Sequence, residues 1–221
     1  MSSVLFLDYA GVALFAATGA LAASRKHLDI IGFLFLGAVT GIGGGTVRDL
    51  ILGVAVFWVE QPLYILACVV SAAGVYFTAH LIELKYRLLL WFDAMALSAY
   101  GVFGAHKGLM VTNSLTVAVV MGMMTATLGG ILRDVLAREP SVLLRQEIYV
   151  AAAMAGAVTF VVAHSAGVPL SLAAGAGFLI ALGVRSGALL FGWSFPAYRL
   201  RGSSQTQKPE ATPSGIPPDP Q

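Results

Sequence analysis

The chain has 221 residues, of which 58% are hydrophobic and 11% charged, and its net charge is +2. Average soluble proteins carry about 25% charged residues, so this composition is that of an integral membrane protein. The small net charge and the lack of a basic, aromatic-rich surface stretch exclude nucleic acid as a partner. The single cysteine, Cys68, cannot form an intramolecular disulfide and reads as a small core hydrophobe.

A helix needs about 20 mainly apolar residues to cross a bilayer. Seven stretches qualify, at roughly 4–23, 28–50, 62–82, 88–106, 113–136, 146–165 and 168–190. The first is not a cleavable signal: no Lys or Arg precedes it, Asp8 interrupts its start, and Arg25 and Lys26 follow it. Short polar separators divide the others, including Glu60-Gln-Pro62, His106-Lys107 and Ala137-Arg-Glu-Pro140. In the last stretch, Arg185 marks the headgroup end. Residues 202–221, rich in Ser, Thr, Gln and Pro, form a predicted disordered tail.

Basic residues set the orientation. Arg25, Lys26, Lys85, Arg87, Arg138, Arg145, Arg199, Arg201 and Lys208 all fall on one side, against Lys107 and Arg48 on the other. The N-terminus is therefore expected outside and the C-terminus in the cytoplasm. The basic side forms a rim where anionic lipid headgroups can dock.

The stretch Gly37-Ala-Val-Thr-Gly-Ile-Gly-Gly-Gly-Thr-Val-Arg-Asp49 recurs 85 residues later as Gly122-Met-Met-Thr-Ala-Thr-Leu-Gly-Gly-Ile-Leu-Arg-Asp134. The same offset maps Asp8 onto Asp93, Phe15 onto Tyr100, and Tyr64 onto Tyr149. The expected organisation is a three-helix unit at 1–87, a second unit at 88–167, a seventh helix with its basic flank at 168–201, and the tail at 202–221. Three spans is an odd number, so the second unit enters from the opposite face. The expected fold is thus all-α and polytopic: two inverted three-helix repeats plus a seventh helix. Permeation proteins of this plan place their sites near the bilayer midplane, at discontinuous helices.

Glycine runs are tolerated in a membrane helix where it packs closely or where it breaks to line a cavity. Helices 2 and 5 are predicted to break at Gly43-Gly44-Gly45 and Gly129-Gly130, with Thr40 and Thr125 beside the freed main chain. These seven residues are the candidate ion path. Close packing alone is the competing explanation, since Gly37-xxx-Gly41 is itself a GxxxG motif. Charged residues within a span are functional candidates by default. Arg48 with Asp49, and Arg133 with Asp134, are sequence neighbours that point about 100° apart on a helix. Each arginine is therefore expected to pair elsewhere, Arg48 with Asp8 and Arg133 with Asp93, as a gate or as structural glue. No cluster has metal-ligand spacing, and no nucleophile-base pair or cofactor fingerprint occurs, so metal, cofactor and catalysis are not expected.

The doubled motif Gly43-Gly44-Gly45-Thr-Val-Arg48-Asp49 and its copy Leu128-Gly129-Gly130-Ile-Leu-Arg133-Asp134 resemble those of the prokaryotic trimeric intracellular cation channels. The same sequence family is also described as bacterial proteins with paired glycine-transporter domains. The resemblance covers roughly residues 4–195. It implies a homotrimer in the plasma membrane, with a pore in each subunit that conducts potassium and, more weakly, sodium. Leu128 replaces the first glycine of the second motif, and the animal channels' Lys-Glu-Val signature is absent. The alternative reading is a secondary transporter that carries a small zwitterion such as glycine through the same midplane site.

Overall fold

The computed structural model describes residues 2–81, 85–140 and 148–194. The elements in order are α1 (Ser2–Arg25), α2 (Ile30–Leu52), α3 (Phe57–Glu60), α4 (Leu63–Thr78), α5 (Lys85–Thr112), α6 (Leu115–Leu136), α7 (Val150–Ser165) and α8 (Leu170–Phe191). Five helical stretches are long and apolar enough to cross a membrane: 30–52, 63–81, 86–112, 115–136 and 170–191. The predicted tail lies outside the described residues, as do Arg145, Arg199, Arg201 and Lys208.

Local chemistry sets the helix ends. The carboxylate of Asp29 accepts the Gly32 amide at 2.8 Å and starts α2, and Gly53 closes it in the left-handed region at φ 66°. Ser114 caps α6 in the same way as Asp29. The helix predicted at 88–106 instead continues to Thr112, through the expected separator His106-Lys107. A lysine does not end a helix when a buried carboxylate from another helix receives it, and Asp49 receives Lys107 here.

Helices α2 and α6 run without interruption through their glycines, which corrects the expected breaks. The glycines serve close approach instead. A Cβ on Gly44 would strike the Thr125 carbonyl, and one on Gly129 would lie 2.7 Å from the Thr40 carbonyl. These contacts are reciprocal under the 85-residue offset, since Thr40 maps onto Thr125 and Gly44 onto Gly129. As numbering rises along α2 it falls along the facing stretch of α6, so the two helices cross antiparallel. Beside the crossing, Phe15 and its counterpart Tyr100 meet edge to face at 5.3 Å. Within the units the packing repeats as well: Gly37 faces Ala72 and Gly122 faces Ala157, each with 2.9 Å for an added Cβ. With no hydrophobic drive between helices in lipid, such small-residue contacts let backbones approach and bond by dispersion.

Candidate functional site: two buried charge clusters

One cluster lies at the C-terminal end of α2. Arg48 and Asp49 are 1% and 0% exposed. Arg48 Nε donates to Asp49 Oδ1 at 2.8 Å, and Lys107 Nζ approaches the same oxygen at 2.9 Å. The Phe57 amide donates to Asp49 Oδ2 at 3.0 Å, so Asp49 also anchors the short helix α3. The Arg48 guanidinium lies 5.0 Å from the Phe103 ring and 5.7 Å from the Phe57 ring, within cation–π range. Asp8 does not pair with Arg48. It accepts a short hydrogen bond from the Tyr64 hydroxyl, and Tyr64 stacks on Tyr9 at 4.1 Å. Lys107, 24% exposed, links the cluster to solvent.

The second cluster lies at the C-terminal end of α6. Arg133 Nη1 donates to Asp93 Oδ1 at 2.8 Å and to Thr18 Oγ1 at 3.0 Å, while Nε donates to Asp134 Oδ1 at 2.9 Å. The expected Asp93–Arg133 pair is therefore present, and the expected Asp8–Arg48 pair is not. Sequence neighbours pair in both clusters, against expectation. A long guanidinium can fold back along its own helix to the adjacent carboxylate, so the 100° between Cα directions is no barrier.

The sequence reading gave Arg185, Tyr64 and Tyr149 no part in a site. Arg185 is fully buried within the protein, and its guanidinium lies 5.1 Å from the Tyr149 ring. The Tyr149 hydroxyl, Asp93 Oδ1 and Arg133 Nη2 converge on Gly130, where an added Cβ would lie 2.5, 3.4 and 3.6 Å from them. The signal was available in the Tyr64–Tyr149 correspondence, and in the position of Arg185 well inside an apolar helix.

The remaining candidates sit at the crossing or near it. The Thr40 and Thr125 hydroxyls donate to Leu36 and Met121 carbonyls of their own helices, each at 2.6 Å. Both residues are fully buried. Gly43 faces Leu132, and Gly45 faces the Phe57 ring. On the basic rim, Glu139 binds Arg25 at 2.9 Å and reaches Lys26 at 3.8 Å, while Arg25 covers the Tyr86 ring. These two bases are about a third exposed, so Glu139→Gln is expected to cost no more than about 1 kcal/mol, read as thermal melting in detergent.

Comparison with known proteins gives the same duplication. The sequence model of the family described as glycine transporter matches twice, at residues 5–80 and 90–165. The inner membrane protein YadS of Escherichia coli strain K12 is 36% identical over 203 residues, covering 89% of this chain and 97% of its own. A membrane protein of Vibrio cholerae is 37% identical over 205 residues, 90% of this chain and 84% of its own. The trimeric intracellular cation channel orthologue from Rhodobacter sphaeroides superposes with a TM-score of 0.85 at 49% identity, covering 87% of this chain and all of that one. A second solved cation channel of that type gives a TM-score of 0.80 at 29% identity, over 90% of this chain and 98% of its own. The chain therefore belongs to the family of bacterial membrane proteins with paired glycine-transporter domains, and its fold is that of the prokaryotic trimeric intracellular cation channels.

Proposed function

We propose that the protein is a channel for small monovalent cations, potassium before sodium, with one path in each subunit of a homotrimer. The observation that carries this reading is the likeness to the Rhodobacter sphaeroides channel. The two Arg–Asp clusters at opposite ends of a glycine-packed crossing add to it. Seven helices span the membrane in this reading: the five long apolar stretches together with α1 and α7, which pack among them. The reciprocal Thr40–Gly129 and Gly44–Thr125 contacts support inverted repeats about a two-fold axis in the membrane plane. Arg25, Lys26 and Arg138 support a cytoplasmic position for their end, with Lys107 toward the outer face.

The path follows the α2–α6 crossing, past Thr40, Gly43, Gly44, Gly45, Thr125, Gly129 and Gly130. With both helices intact and main chain touching main chain, this is the closed arrangement. Opening separates α2 from α6 and bares the threonine oxygens and nearby carbonyls to water. The clusters of Asp8, Arg48 and Asp49, and of Asp93, Arg133 and Asp134, then flank the path at its two mouths. Lys107 stands at the outer mouth, bound to Asp49. Lys107→Gln leaves one carboxylate in excess there, and single-channel cation conductance is expected to rise by roughly two-fold or more.

The family description keeps a zwitterion carrier in view. Proteoliposomes separate the two readings. Valinomycin-independent potassium flux without saturable uptake of labelled glycine is the expected result. Saturable glycine uptake without potassium flux would establish the carrier instead.

A further inference from the structure

The duplication is not symmetric where the charges sit, and α8 makes up the difference. The α2 cluster holds two carboxylates, Asp8 on Tyr64 and Asp49 bound to both Arg48 and Lys107, and so two cations as well. Tyr9 covers the face of Tyr64. Under the 85-residue offset the counterpart of Lys107 is Ala22, and that of Tyr9 is Ala94. Both alanines are fully buried. The second copy thus lacks the extra cation and the aromatic cover. Its cluster would hold Asp93 and Asp134 against Arg133 alone, with one face of Tyr149 bare.

Arg185 takes both places. It comes from α8, beyond the second matched copy, which ends at residue 165. Its guanidinium covers the Tyr149 ring at 5.1 Å, and the Tyr149 hydroxyl meets Asp93 Oδ1 and Arg133 Nη2 around Gly130. We propose that Arg185 is a positioning residue that completes the α6 cluster, restoring from outside the duplication the charge and ring cover lost from the second copy. Two carboxylates then meet two cations at each end. The ends differ in exposure: Lys107 reaches solvent, whereas Arg185 is sealed in. The four α6 charges are all buried, and the one partly exposed charge lies at the α2 end. This inference rests on the channel reading only for its electrical consequence.

The test uses the full-length protein with Arg185→Gln and the charge-balanced Arg185→Gln/Asp134→Asn, read by thermal melting and by bilayer currents. Arg185→Gln leaves one carboxylate in excess, so its melting temperature should fall and the double variant should recover it. Where the single variant conducts, the excess negative charge raises cation concentration at the α6 mouth. Currents should then rectify by about two-fold in favour of cations entering there, and the double variant should remove the rectification. A double variant that melts no higher than the single one overturns the proposal, because ring packing alone would then explain Arg185. So does a conducting single variant whose currents are as symmetric as those of the unaltered protein. If the unaltered protein carries no cation current, the channel reading fails, and melting alone decides the role of Arg185.

Discussion

Replacing Arg133 with methionine is expected to destabilise the protein by about 3–5 kcal/mol, the usual cost of removing one partner from a buried ion pair. Arg133 is 1% exposed and holds three groups from three helices: Asp93 on α5, Asp134 on α6 and Thr18 on α1. Its loss leaves two carboxylates in a low-dielectric setting with one cation fewer. The two charges of the original pair need each other more than the fold needs either. Arg133→Met combined with Asp93→Asn is therefore expected to melt above Arg133→Met alone. Thermal unfolding in detergent measures both, and equal melting of the two variants would show that the pair is not coupled. Arg25→Gln, at a partly exposed rim pair, is expected to change stability by no more than about 1 kcal/mol.

Valine at Gly44 or Gly129 should have the next largest effect. At either position the added carbon meets a main-chain carbonyl of the opposing helix, Thr125 or Thr40, which cannot rotate away as a side chain would. Overpacking of this kind costs about 1–3 kcal/mol, and here it wedges α2 from α6. The closed arrangement loses stability relative to the separated one, so the open fraction in single-channel records should rise. Gly74→Val on α4 is the control, because nothing lies within 4 Å of its added Cβ. It is expected to stay within about 0.5 kcal/mol of the unaltered protein. A Gly44→Val protein that melts and gates like the control would remove the crossing from the mechanism.

Apolar length made the long helices legible. The stretches expected at 28–50 and 113–136 correspond to Ile30–Leu52 and Leu115–Leu136. The duplication was legible because both copies keep their motif in register, and the family match falls on the same offset. Asp93–Arg133 followed from helix ends that must lie together. What stayed hidden depends on distances that one helix cannot reveal. Glycines that break a helix and glycines that admit a neighbour look the same in one chain. Here the facing carbonyls of Thr40 and Thr125 decide for the neighbour. Arg48 binds its neighbour Asp49, while Asp8 accepts from Tyr64, a contact 56 residues distant in sequence. Lys107 looked like a loop charge until Asp49 appeared 2.9 Å away. The short helix α3 could not be seen because it leans on that same carboxylate through the Phe57 amide.

The reversal potential of purified protein in a planar bilayer, under a gradient of potassium chloride, tests the cation-channel assignment most directly. Discrete currents that reverse close to the potassium equilibrium potential are the predicted result. Currents that reverse at the chloride potential, or a bilayer that stays silent at every voltage with the protein incorporated, would contradict it.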